Sequence, residues 1–266
     1  MRTSAAVLAL LLGLPLASQA ATLRVCADPN NLPFSNRAGQ GFENKIAELL
    51  ARDLHEDLAY TWAKQGKNFL KRTLDARRCD VTMAAPAGWD EVETTRSYYA
   101  STYVFVARRD GRPVASLTDP RLHKLKIGVH LIGGDPAPPE AALGREGIVN
   151  NVTGFMIYDD YAKPNPPARL IEAVEDGQID VAAVWGPLAG YFAKRSAVAL
   201  TVTPITHTEG FAPLAFRFAI AIGVRKGDSA LRDRLDAALA RNRGAIRNIL
   251  SSYGVPLVAL KGGADG

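Results

Sequence analysis

The stretch at residues 24–36, RVCADPNNLPFSN, determines how the rest of the chain is organised. A short apolar run through Val25 and Ala27 predicts a strand, and Pro29 and Pro33 prevent that strand or a helix from continuing through the turn. A strand that ends in such a loop and then feeds a helix places the loop at its carboxyl end. Ligands bind at that edge in open α/β sheets, so the sequence places a candidate binding site here.

The amino-terminal residues have the composition of a secretory signal. Arg2 supplies the positive start, residues 5–16 form an apolar run, and Ser18-Gln19-Ala20 is a small-residue cleavage site. We therefore expect a signal peptide over residues 1–21 and export to the periplasm. A membrane anchor is the alternative, but the run is shorter than the roughly 20 residues that cross a bilayer, so we expect no span in the mature chain.

Length and composition favour a globular protein with one large or two medium domains, because the chain has 266 residues, of which 47% are hydrophobic and 22% charged. The formal net charge is +5, but Lys and Arg are scattered among Asp and Glu. Nucleic acid requires a basic run or patch, so we expect no nucleic-acid partner. The small excess of positive charge suits an acidic partner or a membrane surface.

Cys26 and Cys79 are the two cysteines of the chain. In an oxidising compartment a single disulfide is the simplest interpretation, and it is feasible if the two strands that follow these cysteines are neighbours. Two buried free thiols are the alternative. The chain has no CxxC motif and no cluster of His, so we expect no metal site.

The periodicity of apolar residues predicts two α/β lobes. The first lobe has the order βαβαβ of a right-handed, doubly wound unit. The runs at 98–108 and 218–225 alternate over longer stretches, as strands that cross between lobes would. We predict lobe 1 over residues 22–110 and 212–266 and lobe 2 over residues 111–211, each a doubly wound mixed sheet. Within lobe 1, the predicted elements after the opening loop are a helix at 42–54, a strand at 58–63, a helix at 68–78 and a strand at 81–85.

Seven strings in a fixed order carry a resemblance to a known family. They are VCADPNNLPFSN, GFENKIAELLA, CDVTMAAP, TTRSYYASTYVFV, IGVHLIGG, DGQIDVAAVWGPLAGYF and FAIAIGVRKGD. The chain resembles the type-2 periplasmic substrate-binding proteins, and more narrowly the MxaJ/XoxJ-like branch encoded beside quinoprotein methanol dehydrogenases. The resemblance implies the two-lobe type-2 periplasmic binding protein fold with two hinge crossings and a periplasmic location.

The same resemblance implies partners. They are a PQQ-dependent methanol or alcohol dehydrogenase and, as a second candidate, its cytochrome c. Pyrroloquinoline quinone and a calcium or lanthanide ion belong to that dehydrogenase, so we expect no cofactor in this chain.

The chain departs from amino-acid-binding relatives at two positions. Those relatives usually clamp the ligand carboxylate with an Arg after the third strand, and hold its amino group with an Asp after the strand that matches residues 179–184. Here the stretch at 88–93, GWDEVE, has no Arg, and Trp185-Gly186 stands at the second position. Arg96 either replaces the clamp from a shifted position or faces solvent or a carboxylate such as Glu93. An amino-acid transport function is therefore disfavoured.

Aromatic residues remain at the presumed gap between the lobes. Each sits in or beside a loop that follows a predicted strand: Phe34, Trp89, Tyr158 and Trp185. A gap lined by rings accepts a hydrophobic small ligand or an apolar segment of another protein. Packing inside the lobe cores is the alternative for each ring.

Two polar residues complete the candidate site. Asp28 either binds a ligand donor or fixes its own turn, as an Asp before Pro often does. His130 follows the strand at 127–129 and is either a donor in the gap or a structural residue. In an enzyme, Asp28 or His130 would be the acid/base group and Arg96 would bind the substrate carboxylate, but their spacing forms no catalytic constellation, so we expect no catalysis.

Three functions remain, of which an enzyme is the least favoured. The first is an accessory, maturation or activation partner of a PQQ-dependent dehydrogenase that uses an aromatic gap between its lobes. The second is the receptor of an ABC transporter for an uncharged or apolar small molecule, which the fold favours but does not by itself establish.

Overall fold

A computed structural model describes residues 21–110, 112–131, 136–157 and 164–259. The predicted signal peptide up to residue 20 and Tyr158 lie outside these ranges. Within the described ranges, the helices are too short or too polar to cross a membrane.

Lobe 1 begins with a parallel three-stranded unit, as predicted. Its elements are β1 (Thr22–Ala27), β2 (Asn30–Asn31), β3 (Ser35–Asn36), α1 (Phe42–Asp53), β4 (Asp57–Trp62), α2 (Phe69–Arg72) and β5 (Val81–Pro86). Strand β1 lies between β4 and β5 and is parallel to both. Helix α1 packs on this sheet because Phe42, Ile46 and Leu50 repeat at helical spacing, and all three are fully buried.

Helix α2 is much shorter than the predicted helix at 68–78, which is a correction to the sequence prediction. After Arg72 the backbone leaves helical geometry at Thr73, whose hydroxyl donates to the carbonyl oxygen of Phe69 at 2.7 Å. Arg77 then adopts a φ of 55°, in the left-handed region that a helix interior does not contain. The chain therefore turns early and brings Cys79 back towards β1.

Cys26 and Cys79 form a disulfide, with their Cα atoms 5.4 Å apart. Cys26 lies in β1 beside Thr82 of β5, and Cys79 lies just before β5, so the bond joins neighbouring parallel strands. Of the two alternatives that the sequence left open, the structure has the disulfide.

The rest of the chain builds lobe 2 and returns to lobe 1. The elements are β6 (Glu93–Thr94), β7 (Tyr99–Arg108), β8 (Ile127–Leu131), α3 (Pro138–Arg145), β9 (Val152–Met156), α4 (Arg169–Glu175), β10 (Val181–Trp185), α5 (Gly186–Arg195), β11 (Leu200–Pro204), β12 (Arg217–Val224), α6 (Ser229–Arg241) and α7 (Arg243–Ser252). The strand order is β4-β1-β5-β12-β7-β10-β8-β9, and β11 also pairs with β7.

Strand β7 joins the two lobes. Its first part, from Tyr99 to Thr102, pairs antiparallel with β12, whereas the part from Tyr103 onwards pairs with β10 and that from Val104 onwards also with β11. The fold is therefore two α/β lobes linked by crossing strands, which confirms the predicted fold class. Each lobe has its own buried core, with the largest cluster of lobe 1 packed under α1, α6 and α7.

Candidate functional site

Asp28 fixes the loop that follows β1. Its side chain is 2% exposed, its Oδ1 accepts the N–H of Asn30 at 2.8 Å, and its Oδ2 accepts the N–H of Gln65 at 2.7 Å. The carboxylate thus ties together the loops at the carboxyl ends of β1 and β4. These hydrogen bonds place Asp28 in a positioning role at the edge of lobe 1 that faces the gap.

Phe34 lies between this loop and α1. Its ring is half-buried, packs on the core of lobe 1 and meets the ring of Phe42 edge-on at 5.3 Å. The carbonyl oxygen of Phe34 accepts the N–H of Glu43 at 3.0 Å, and a side chain at Gly41 would overlap that carbonyl group. The first N–H groups of α1 are therefore used by the loop itself, so the amino end of α1 does not offer a free anion site.

Glu43 is a residue that sequence reasoning missed. Burial raises the pKa of its carboxyl group to about 8, and the negative charge of Asp28 nearby adds to this effect. Its Oε1 has no hydrogen-bond partner within the described ranges. The sequence shows only an acid in the first turn of a helix, a signal that indicates a helix start and not a buried group.

Three rings meet where the two lobes join, and we call them the junction cluster: Tyr103, Trp185 and Phe218. The ring of Trp185 lies 5.3 Å from that of Tyr103 and 5.8 Å from that of Phe218, both edge-on. Trp185 and Phe218 are half-buried, and each packs against the core of lobe 1 and the core of lobe 2. The rings come from β10, β7 and β12, so the crossing strands themselves supply the aromatic surface.

His130 lies at the end of β8, stacked on Tyr103 with the ring centroids 5.7 Å apart. The side chain is 1% exposed, and burial lowers its pKa to about 4, so the imidazole is neutral at pH 7. Neither ring nitrogen has a hydrogen-bond partner in the part of the chain that the structure describes. His130 is thus a buried neutral ring behind the junction cluster.

Trp89 occupies a different place. Its half-buried ring packs on the small cluster around the disulfide, which also contains Phe69 and Val92. It lines a surface cavity of about 440 Å³ between the loop after β4 and strand β5. Trp89 and Trp185 therefore pack in different clusters, Trp89 in the one around the disulfide and Trp185 in the junction cluster.

Arg96 points away from the candidate site. Its side chain is 83% exposed, and its nearest carboxylate is that of Asp236 on α6, at 4.0 Å. Glu93, the partner suggested by the sequence, pairs with Arg232 instead. Tyr158 lies outside the described residues.

Besides the junction cluster, two further contacts join the lobes among the described residues. In the first, the N–H of Asn165 in lobe 2 donates to Oδ1 of Asn30 in lobe 1 at 3.0 Å. In the second, α5 packs on the chain that follows α7: a side chain at Gly190 would overlap the carbonyl oxygen of Gly254, and Nζ of Lys194 donates to the carbonyl oxygen of Ser252 at 3.0 Å. Both contacts hold the lobes close together.

Two α/β lobes around an aromatic junction define a type-2 periplasmic binding protein. The chain matches the model of the bacterial extracellular solute-binding proteins, family 3, over residues 23–254, and it belongs to that family. Among individual proteins, it is 32% identical over 251 residues to the protein MoxJ of Methylorubrum extorquens (strain AM1); the match covers 90% of this chain and 82% of MoxJ.

Two solved structures are similar over nearly the whole chain. One is the periplasmic binding protein XoxJ from Methylobacterium extorquens AM1, with a TM-score of 0.74, 33% identity, and coverage of 90% of this chain and 100% of that one. The other is MxaJ from Methlophaga aminisulfidivorans MPT, with a TM-score of 0.79, 25% identity, and coverage of 89% and 100%. The resemblance to MxaJ/XoxJ-like proteins is therefore confirmed.

Within the described ranges, no group of three or more His, Cys, Asp or Glu side chains could hold a metal ion.

Proposed function

We propose that the protein is a periplasmic accessory protein that binds a PQQ-dependent methanol or alcohol dehydrogenase and assists its maturation or activation. An apolar segment of that enzyme, or of its cytochrome c, would dock between the lobes. The similarity to MoxJ, XoxJ and MxaJ supports the association with such a system, and the residues of the gap suggest how the partner is held.

The junction cluster is the observation that carries this proposal. Trp185 and Phe218 each leave part of a ring uncovered while packing on both lobe cores. A partly exposed indole at the meeting point of two lobes offers a large, rigid apolar surface, which is the kind of residue that dominates the energy of protein interfaces. An apolar partner segment therefore fits this surface better than a charged solute does.

The positions of the charged groups support the same interpretation. Recognition of a free amino acid needs a guanidinium for the carboxylate and a carboxylate for the ammonium group. Arg96 is exposed and faces Asp236, the carboxylate of Asp28 accepts two backbone N–H groups, and position 185 is a Trp. The groups named for an enzyme are likewise apart, since His130 is buried in lobe 2, so we propose a binding protein and no catalysis.

The alternative is an ABC-transporter receptor for an uncharged or apolar small molecule. The family of bacterial extracellular solute-binding proteins favours it, and the same rings would suit such a ligand. The two functions differ in what binds to the gap, so a direct binding measurement separates them.

The test uses the mature chain without its signal. It is immobilised and exposed to the purified PQQ-dependent dehydrogenase from the same bacterium, with an unrelated periplasmic dehydrogenase as control. Saturable binding of the first enzyme alone supports the proposal. Absence of binding, together with saturable calorimetric binding of small apolar alcohols or aldehydes, would favour the receptor instead.

A further inference from the structure

Three planar groups are stacked at the edge of lobe 1, and we call them the rim stack: Tyr60, Trp62 and Arg37. The rings of Tyr60 and Trp62 lie 4.6 Å apart and 20° from parallel, on the same face of β4. The guanidinium of Arg37 lies over the ring of Trp62, with its Cζ 5.8 Å from the ring centroid. A cation at this distance is attracted to the face of an indole, so the ring holds the guanidinium in place.

The rim stack lies beside the gap. Trp62 is the last residue of β4 and is in register with Ala27, the last residue of β1. Arg37 directly follows β3, whose Asn36 pairs with Asn30, and Asn30 is the residue that touches lobe 2. The stack is therefore continuous with the edge of lobe 1 that faces the other lobe.

Within the described ranges, the guanidinium of Arg37 is held by the Trp62 ring and by no carboxylate. It is exposed, and no carboxylate lies within ion-pair distance of it among the described residues. Other arginines of lobe 1, such as Arg24 and Arg225, hold Asp80 in short ion pairs. A guanidinium that is steadied by a ring keeps its fork of N–H donors free for an external carboxylate.

The surroundings are cationic as well as aromatic. The stretches between Asp28 and Glu43 and between Trp62 and Asp75 contain no acid, but they contain Arg37, Lys67, Lys71 and Arg72. Glu43 is buried, and the carboxylate of Glu48 lies beside Gly39, with its Oε1 3.5 Å from the Cβ position there. Lys67 and Lys71 line the cavity that also holds Phe69 and Trp89, where Glu91 is the acid among the lining residues. This edge of lobe 1 therefore presents positive charge beside rings, which is complementary to an acidic surface that carries apolar side chains.

We propose that the rim stack recognises a carboxylate on an acidic, apolar-flanked segment of the partner dehydrogenase. This inference rests on the proposed function and adds the chemistry of the partner's docking segment. Arg37 would donate two parallel N–H hydrogen bonds to that carboxylate, and Trp62 would cover the apolar side chain next to it. Trp, Tyr and Arg are the residue types that most often dominate binding energy at protein interfaces.

The experiment measures the affinity of the mature protein for the purified dehydrogenase at low and high salt. Arg37→Ala is expected to weaken binding about tenfold at low salt, and Arg37→Glu to weaken it further, because a bidentate ion pair is lost or reversed. Arg37→Lys should restore only part of the affinity, since an ammonium lacks the planar fork. Trp62→Phe keeps a ring beneath the cation and should weaken binding less than Trp62→Ala.

Arg52→Ala is the matched control, because Arg52 is also an exposed Arg of lobe 1 but lies at the far end of α1. Each variant is checked by its melting temperature. If the parent protein binds the dehydrogenase but Arg37→Ala and Arg37→Glu bind as well as Arg52→Ala does, the rim inference is wrong while the proposed function stands. If the parent protein does not bind, the proposed function fails and this inference fails with it.

Discussion

The N–H of Asn165 donates to Oδ1 of Asn30 at 3.0 Å, and this hydrogen bond joins lobe 2 to lobe 1 beside the gap. It involves a side chain of lobe 1 and only the backbone of lobe 2. A substitution at residue 30 therefore removes the bond without altering the chemistry of lobe 2.

Asn30→Ala should loosen this contact. A net hydrogen bond contributes about 1 kcal/mol, so amide hydrogen exchange at residue 165 is expected to accelerate about fivefold. Asn248→Ala removes an exposed Asn from α7 and should leave that exchange rate unchanged. Equal exchange in all three proteins would show that the contact does not hold the lobes.

Replacing both Trp89 and Trp185 by Ala should weaken binding of the partner while the lobes stay folded. Both rings are half-buried, Trp185 at the junction and Trp89 in the cavity beside β5. Loss of a ring at an interface commonly costs more than 1 kcal/mol, or about fivefold in affinity. Affinity and circular dichroism are measured together. Phe192→Ala, on α5 away from the junction cluster, controls for the loss of a half-buried ring, and unchanged affinity in the double variant would place neither Trp at the interface.

Gly190→Ala should destabilise the protein, because the new methyl group overlaps the carbonyl oxygen of Gly254 in a tightly packed contact. Overpacking of this kind costs about 1–3 kcal/mol. Gly144→Ala is the matched control: it too is a glycine of a helix, but a methyl group there meets nothing within 4 Å. The free energy of unfolding of this control should be unchanged or higher by up to about 1 kcal/mol. Calorimetric unfolding measures both, and similar melting temperatures would contradict a tight contact between α5 and the chain after α7.

His130→Phe should make the protein less sensitive to acid. The imidazole has a pKa lowered to about 4 in the folded protein, against 6.5 for an ordinary His, so between these values the unfolded chain binds the proton and the folded chain does not. Stability is therefore lost as pH falls from about 6.5 to about 4, by at most roughly 3 kcal/mol. Phe keeps a ring stacked on Tyr103 and has no proton to bind.

Urea unfolding at pH 7 and pH 4 measures this effect. Glu43, whose pKa is raised to about 8, makes the free energy of unfolding fall as pH rises from about 4.5 to about 8, which is the opposite sign. Because Glu43 is present in the parent and in the variants, its effect cancels in the comparison. His123→Phe, at an exposed position, should retain the acid sensitivity of the parent. Identical pH dependence in all three proteins would mean that His130 binds its proton equally well in the folded and the unfolded chain, which contradicts the prediction.

Much of the fold can be predicted from the periodicity of apolar residues, because their spacing indicates which face of a helix or strand is buried. The helix predicted at 42–54 is α1, and the run at 98–108 is the crossing strand β7. The predicted helix at 68–78 is wrong beyond Arg72, because the left-handed backbone of Arg77 and the return to Cys79 depend on packing across the sheet.

The candidate site was predicted less completely. The position of Trp185 after a strand indicates a site residue, and Trp185 lies at the junction of the lobes. The direction of Trp89 depends on the turn after β5, which local sequence does not determine, and the stack of Arg37 on Trp62 joins two loops far apart in the chain. The lobe boundaries at 110/111 and 211/212 stay a prediction.

The disulfide between Cys26 and Cys79, 53 residues apart in sequence, encloses Phe34, Arg37 and Trp62 in one covalent ring. A crosslink of this span typically stabilises a fold by about 2–4 kcal/mol. Protein produced in a reducing cytosol would lack this disulfide, so we expect its lobe 1 to bind the partner less tightly. Production with export to an oxidising compartment should restore the binding.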